Sequence, residues 1–459
     1  MFILVPLILS QLLQRFQDVV DNRFITYLGS EALAIHNVQF NIYFVGQEIG
    51  LAAAMSALIF WRRKESEGKQ GFIFKVHLIM PIVLTTILAA IIYHFIMRGD
   101  LERGFSIPVS FSQTAHIYWV LGLINMVLRS IQIPLTAILI ACDERLKCIL
   151  LGGGVLIGKV ILGWSAIHLF WNSKVDPGSI LIPLILLDVG AIVVLAMGSS
   201  YAVRWISSCV DGWAKLEMRS IFKVWPGELG IAAVNSVAVT FFGFQLAKVG
   251  AGPEFFVTYQ LALGFSYILA LPVIAGMQIA VRDASAAQSK LLGTLFIPLH
   301  ESQWWPQFFY ASLMPTCILF GLTAVFAKSI FYSVYNYNIP AEHLFYIRVF
   351  FASWILWEFG DVFLIMLRAA KRNTLATRNF IIASFGVEVG LTQLLLWLGW
   401  ANPITLSFVM FCFCATYLLL NRSSIFNIQS KYFVRGIRFT QAGGLPAAPD
   451  EPGKVPFWA

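Results

Sequence analysis

Twelve apolar runs of membrane-spanning length follow one another along the 459 residues of this chain. A helix needs about 20 predominantly apolar residues to cross the hydrocarbon core of a bilayer. Only helices and closed barrels satisfy all their backbone hydrogen bonds there, so the runs predict an all-α polytopic membrane protein. The charged fraction is only 12%, which agrees with this class. The predicted spans are residues 2–26, 33–60, 73–97, 113–141, 148–171, 179–203, 225–247, 254–279, 304–327, 344–367, 379–398 and 402–421.

Basic residues are distributed unevenly between the loops that connect these spans. One set of alternate loops holds 21 Lys and Arg residues, and the other set holds 6. The positive-inside rule places the basic set in the cytosol. We therefore expect a multi-pass protein of the inner (plasma) membrane with both termini cytosolic. The net charge of +8 is spread over these short loops, so it does not indicate nucleic-acid binding.

The spans divide into two sets of six with a similar layout. Pro6 and Gly29 mark the start and the end of the first span, and Pro226 and Gly250 do the same for the seventh. Such internal symmetry predicts two pseudo-symmetric six-helix bundles with a site between them. The predicted domains are an N-terminal bundle at 1–205, a cytosolic linker at 206–223, a C-terminal bundle at 224–425, and a partly disordered cytosolic tail at 426–459.

The first span carries a polar stripe within an otherwise apolar run. Its members recur at spacings of 3, 4 and 3 residues, which is one face of a helix: Gln11, Gln14, Asp18 and Asp21. Arg15 and Asn22 flank that face. Ionisable groups inside a membrane cost about 2.5–3.5 kcal/mol each on insertion scales, so they are expected to face protein or a water-filled cavity. Two interpretations are open: a local Arg15–Asp18 pair that holds helices together, or a carboxylate that binds a proton or cation.

Further charged residues lie inside other predicted spans. Counted with the first span, carboxylates outnumber cations by eight to three. A cavity with that excess attracts cations and repels phosphates. Glu358 and Asp361 are three residues apart on one helix face and are predicted to share a site. The predicted substrate cleft holds Gln14, Glu48, Asn235, Glu358 and Asp361, and the predicted structural charge pairs hold Arg15, Arg129, Lys159, Asp188 and Glu388.

The run VVDNRFITYLGSEALA at the end of the first span resembles the multidrug and toxic compound extrusion (MATE) transporters. In that family an Asp stands eight residues before the Gly of a similar turn, and here these are Asp21 and Gly29. Pro226 is similar to the proline near the start of the family's seventh span. The resemblance implies twelve helices in two bundles, and it implies that Asp21 is the coupling residue, with Asp18 and Asn22 beside it. Asn235 stands about where some members hold a cation-binding Glu.

Together these observations predict a secondary antiporter that exports a cationic or amphipathic small molecule in exchange for H⁺ or Na⁺. The expected partners are this small molecule and the lipid bilayer, and the C-terminal tail is a candidate segment for binding a protein partner. The sequence shows no catalytic constellation, no metal-ligand spacing and no nucleotide loop, so we expect neither an enzyme nor a cofactor. Two alternatives stay open: a flippase for a lipid-linked saccharide, from the same multidrug/oligosaccharidyl-lipid/polysaccharide (MOP) superfamily, and a non-transporting scaffold subunit of a larger complex.

Overall fold

A computed structural model describes most of the chain as long helices. The described residues are 4–26, 30–64, 70–107, 112–141, 215–249, 253–277, 308–369 and 372–441, with single positions between 150 and 165 and at 189 and 280. They contain helices, turns and short connections, and no strand occurs among them. The all-α polytopic class predicted from the sequence is therefore confirmed.

The helices are labelled here in chain order. The first half contains α1 (Leu4–Thr26), α2 (Ser30–Lys64), α3 (Gln70–Met97), the short α4 (Asp100–Gly104) and α5 (Ser112–Ala141). The second half begins with α6 (Lys215–Leu246), α7 (Glu254–Leu269) and α8 (Leu271–Met277). It continues with α9 (Met314–Tyr335), α10 (Ala341–Ala369), α11 (Asn373–Ile381), α12 (Gly390–Trp397) and α13 (Pro403–Gln441). Two π-helical stretches, Phe309–Leu313 and Ile382–Val389, lead into α9 and α12.

Ten of the twelve predicted spans coincide with these helices. The fifth and sixth predicted spans, 148–171 and 179–203, lie almost wholly outside the described residues. Within the described residues, seven helices are long and apolar enough to cross a membrane, or eight if the bent pair α7–α8 counts as one span. That pair is bent by 50°. Pro272 lies at the start of α8 and lacks the backbone donor that would continue the helix, which accounts for the bend.

Two helices extend beyond the predicted spans. The seventh-span helix α6 already begins at Lys215, so the last nine residues of the predicted linker, 215–223, are helical. The last helix α13 continues to Gln441, through the first part of the predicted tail. These extensions carry basic residues where the sequence becomes polar, and a helix remains compatible with that composition because Lys and Arg are good helix formers.

The two halves share one contiguous core of buried apolar side chains. Helix α2 is central to it, since α2 packs against α3 and α5 of its own half and against α6 and α7 of the other. Glycine permits close approaches of these helices: a Cβ atom on Gly46 would lie 2.0 Å from the carbonyl oxygen of Met126 on α5. Small residues at helix contacts are the usual means of close packing in membranes. Helix α1 packs against α2 and also against α7 and α9, so it contacts both halves.

Candidate functional site

The end of α1 places its carboxylates inside the protein. The side chain of Asp21 is 9% exposed and that of Asn22 is 5% exposed. The Asn22 amide donates a hydrogen bond of 2.8 Å to the backbone carbonyl of Asp18, one turn earlier. These three residues therefore form a compact polar group on a helix that contacts both halves.

Asp18 faces a cation on another helix of the same half. Its Oδ1 atom lies 4.0 Å from Nη2 of Arg129 on α5. The guanidinium of Arg129 also donates to Oε1 of Gln132 at 3.2 Å and lies 5.8 Å from the ring centroid of Tyr43. Asp18 interacts electrostatically with Tyr335 on α9 as well. The carboxylate thus has neighbours in both halves.

Asp21 has a neighbour in its own half. It interacts electrostatically with Tyr118 on α5. The Tyr118 hydroxyl is 2.6 Å from Nδ1 of His36 on α2. Tyrosine and histidine each carry an exchangeable proton and an acceptor atom. Asp21, Tyr118 and His36 are therefore neighbouring polar side chains that link α1, α5 and α2.

The structure describes only some of the other site residues that were predicted for the first half. Glu48 is buried on α2. Gln14 and Arg15 belong to α1, but their side chains fall outside the described residues, as do Lys159 and Asp188 altogether. The predicted Arg15–Asp18 pair therefore stays a prediction, while the cation shown beside Asp18 is Arg129.

A buried ion pair joins the first and fourth spans of the second half. Arg368 at the end of α10 binds Glu228 on α6 through two hydrogen bonds, of 3.1 Å from Nε to Oε1 and 2.9 Å from Nη2 to Oε2. The amide of Asn373 on α11 donates a third bond of 3.2 Å to Oε1 of Glu228. Both charged side chains are at least nine-tenths buried. Such a geometry satisfies both charges and holds α6, α10 and α11 together.

Glu358 and Asp361 share one face of α10, as their spacing predicts. Both are buried, and they interact electrostatically with each other. The hydroxyl of Tyr417 on α13 donates a bond of 2.7 Å to Oδ1 of Asp361, which also interacts with Arg368. Oε2 of Glu358 has no hydrogen-bond partner in the described part of the chain. Asn235, which was predicted to line the same cleft, is half-buried on α6.

Side chains connect the halves at both ends of the bundle. At the end predicted to be external, the guanidinium of Arg23 on α1 donates to the backbone carbonyls of Ser333 and Val334. Deeper in the bundle, the Gln260 amide on α7 donates to Oδ1 of Asn41 on α2 at 3.1 Å.

At the opposite end, the rings of His77 on α3 and Trp225 on α6 are 6.3 Å apart. The halves are thus in contact at the predicted external end of the bundle and at the opposite end.

Several residues at these positions were not predicted from the sequence. Tyr118 lies in an apolar stretch, and His36 is one of several polar residues at the start of the second span, so neither stands out by its spacing. Arg368 follows Asp361 by seven residues, which places both on the same face of a helix. That spacing could have identified it as a partner for buried carboxylates rather than as a loop residue.

The donor sets of this region do not form a metal centre. Within the residues that the structure describes, no group of three or more His, Cys, Asp or Glu side chains could hold a metal ion.

Comparison with known proteins identifies solved structures with a similar fold. No family model matches the sequence, and no curated protein matches it. Solved structures match over nearly the whole chain. One is a MOP superfamily transporter from Pyrococcus furiosus Vc1, whose binding pocket of reverse polarity suggests a different function; its TM-score is 0.70 at 14% identity, over 93% of this chain and 95% of that chain.

Two further structures show the same likeness. An outward-facing multidrug resistance MATE family transporter of the MOP superfamily gives a TM-score of 0.70 at 14% identity, over 93% of this chain and 95% of that chain. The MATE transporter VcmN of Vibrio cholerae in its bent form gives 0.66 at 15% identity, over 95% and 96% of the two chains. Structures of this kind have twelve membrane helices, which agrees with the count predicted from the sequence.

Proposed function

We propose that this protein, which has the fold of the MATE transporters of the MOP superfamily, is a secondary antiporter. It exports a cationic or amphipathic small molecule in exchange for H⁺ or Na⁺ across the inner membrane, with both termini in the cytosol.

The sign of the buried charge is the observation that carries this proposal. Six carboxylates are buried in the long helices, whereas the described residues of these helices bury two guanidinium groups, Arg129 and Arg368. The six carboxylates are those of Asp21, Glu48, Glu228, Glu358, Asp361 and Glu388. One guanidinium is already neutralised by Glu228 and the other faces Asp18. An interior with this balance favours organic cations and disfavours the diphosphate of a lipid-linked saccharide.

The position of α1 supports a coupling role for its carboxylates. This helix packs against α2 of its own half and against α7 and α9 of the other half. A change of charge at Asp21 or Asp18 therefore acts on a helix that both halves contact. Binding of a proton or cation there favours one arrangement of the halves, and binding of the substrate favours the other. Alternation between the two arrangements yields exchange across the membrane.

A change between the two arrangements has to break contacts between the halves. The bonds from Arg23 to Ser333 and Val334 would open in one access state. The packing of His77 on Trp225 would open in the other.

A transport assay with purified protein in liposomes tests the proposal. Vesicles with an imposed pH or sodium gradient are mixed with a cationic dye, and with an anionic dye of similar size as the control. Gradient-driven accumulation of the cation alone is the expected result. Accumulation of neither dye, together with movement of a lipid-linked saccharide, would favour the flippase. Absence of all transport by well-folded protein would favour the scaffold.

A further inference from the structure

A short segment between α3 and α5 reaches from the first half of the protein onto the second. Residues 99–107, here called the connecting segment, contain the short helix α4. Gly99 at the start of this segment and Ser106 near its end have left-handed backbone conformations, with φ of 69° and 55°. That conformation is uncommon for a serine and persists where surrounding contacts enforce it. The contacts of the connecting segment therefore define its shape.

One aromatic side chain of this segment is buried against the other half. Phe105 is 1% exposed. Its ring centroid lies 4.2 Å from that of Phe244 on α6 and 4.8 Å from that of Phe256 on α7. The hydroxyl of Ser106 donates a long hydrogen bond of 3.4 Å to the backbone carbonyl of Ala247, directly after α6. All three partners belong to the second half, so the connecting segment bridges the interface between the halves.

Two glycines make room for these rings. A Cβ atom on Gly104 of the segment would lie 2.4 Å from Cε1 of Phe244. On the other side of the interface, a Cβ atom on Gly243 of α6 would lie 3.2 Å from Cε1 of Phe105. The backbone on each side thus approaches an aromatic ring of the opposite half more closely than a larger residue would permit. The two surfaces are complementary in shape at this contact.

A buried acid attaches the segment to its own half. Glu102 on α4 is 8% exposed, and its Oε1 atom accepts a hydrogen bond of 3.0 Å from the hydroxyl of Ser112 at the start of α5. Nε2 of His116, one turn further along α5, contacts the same oxygen. These polar contacts hold α4 on α5. A separation of the halves would therefore break the aromatic contacts with α6 and α7 and leave the segment on the first half.

We propose that the connecting segment is a latch that holds the two halves together at the end of the bundle predicted to be external. Phe105 is its positioning residue, since the ring has to leave Phe244 and Phe256 before this end can open. Release of the ring exposes apolar surface that is buried in the closed arrangement, so the latch favours that arrangement. The inference rests on the proposed alternation for its purpose, but its test measures distances and needs no transport.

Distances between two spin labels across this end test the proposal. In a cysteine-free protein in lipid nanodiscs, the labels are attached through Gln113→Cys at the start of α5 and Glu342→Cys at the start of α10. Both native side chains are exposed, that of Glu342 to 74%. We expect Phe105→Ala to raise the ratio of long to short distances by about tenfold or more, because burial of an aromatic side chain contributes at least this factor to an equilibrium. The control is Phe241→Ala, which removes a ring that is 50% exposed on α6 and should leave the ratio unchanged.

Two further variants keep the test decisive. Gly104→Val retains the ring of Phe105 but places a Cβ atom 2.4 Å from Cε1 of Phe244, so it should displace the segment and again increase the long distances. Phe105→Leu keeps part of the buried apolar surface and should give a ratio between those of wild type and Phe105→Ala. Thermal unfolding first identifies the folded variants, and any one folded latch variant is sufficient for the comparison.

The possible outcomes separate the latch from the antiport. Distances in the folded latch variants that are identical to those of wild type would overturn the proposal. An equal increase in Phe241→Ala would also overturn it, because that result would show a general loosening of the halves. An increase confined to the latch variants supports the latch. If such a protein moves no cation under a gradient, the latch stands and the proposed antiport fails.

Discussion

Arg368 holds Glu228 through two parallel hydrogen bonds, of 3.1 and 2.9 Å, in the interior of the second half. The pair connects the end of α10 to the central part of α6. Because both groups are buried, removal of one partner leaves an uncompensated charge. Removal of one partner of a buried ion pair typically lowers the free energy of unfolding by about 3–5 kcal/mol.

We therefore expect Glu228→Gln to lower the free energy of unfolding by about 3–5 kcal/mol, measured by denaturant titration in detergent micelles. The matched control is Arg103→Ala. It removes an ion pair with Asp100 in which the Arg103 side chain is 72% exposed, and it should cost about 0–1 kcal/mol. A loss for Glu228→Gln no larger than that of the control would contradict a structural role for the buried pair.

The close contact of α2 with α5 gives a second stability prediction. Gly46→Ala would bring a Cβ atom to 2.0 Å from the Met126 carbonyl oxygen, so the helices must separate. Overpacking of this kind typically costs about 1–3 kcal/mol. The control is Gly264→Ala on α7, where a Cβ atom meets nothing within 4 Å. Thermal unfolding should show a lower Tm for Gly46→Ala and an unchanged or higher Tm for Gly264→Ala, and equal shifts would argue against the close packing.

The fold was largely predictable because it depends on long, repeated signals. Ten spans could be located since each is an apolar run bounded by polar loops. The polar stripe of α1 was likewise visible, because Asp18 and Asp21 interrupt a run in which charge is costly.

The partners of those carboxylates were not predictable in the same way. Arg129, rather than Arg15, is the cation that the structure places beside Asp18, and it comes from a helix more than a hundred residues away. Which helices become neighbours depends on packing in three dimensions, and sequence spacing reports only contacts within one helix. The π-helical stretch around Glu388 left no recognisable pattern either. Nothing in Ile382–Val389 differs from an ordinary apolar helix except its single acid.

Contact between the halves gives a prediction about movement. The Asn41 and Gln260 side chains are joined at 3.1 Å across the interface, so cysteines at these positions should react with a short thiol crosslinker. In a cysteine-free background, the crosslinked double variant Asn41→Cys/Gln260→Cys should lose transport and regain it on reduction. Asn379 and Asn421, which are 3.0 Å apart within the second half, provide the control pair. Retained transport in the crosslinked interface variant would show that the halves do not separate there.

The distribution of basic loops predicts the orientation. Arg103 on α4, whose side chain is 72% exposed, should face outside, and the exposed Arg378 on α11 should face the cytosol. Single variants Arg103→Cys and Arg378→Cys in the cysteine-free protein are treated with an impermeant maleimide on intact cells. Labelling of position 103 alone is expected. Labelling of position 378 alone would reverse the orientation and place both termini outside.

The coupling role of Asp21 is the central claim, and transport by Asp21→Asn tests it most directly. Asparagine keeps the shape and the hydrogen-bonding capacity of the side chain but cannot change its charge. Only a group that binds differently in the two access states shifts their equilibrium. The variant is compared with wild type and with Glu342→Gln in liposomes under an imposed pH or sodium gradient, after thermal unfolding has shown all three to be folded. We expect loss of gradient-driven cation accumulation in Asp21→Asn and wild-type accumulation in the control. Wild-type accumulation by Asp21→Asn would contradict the coupling role.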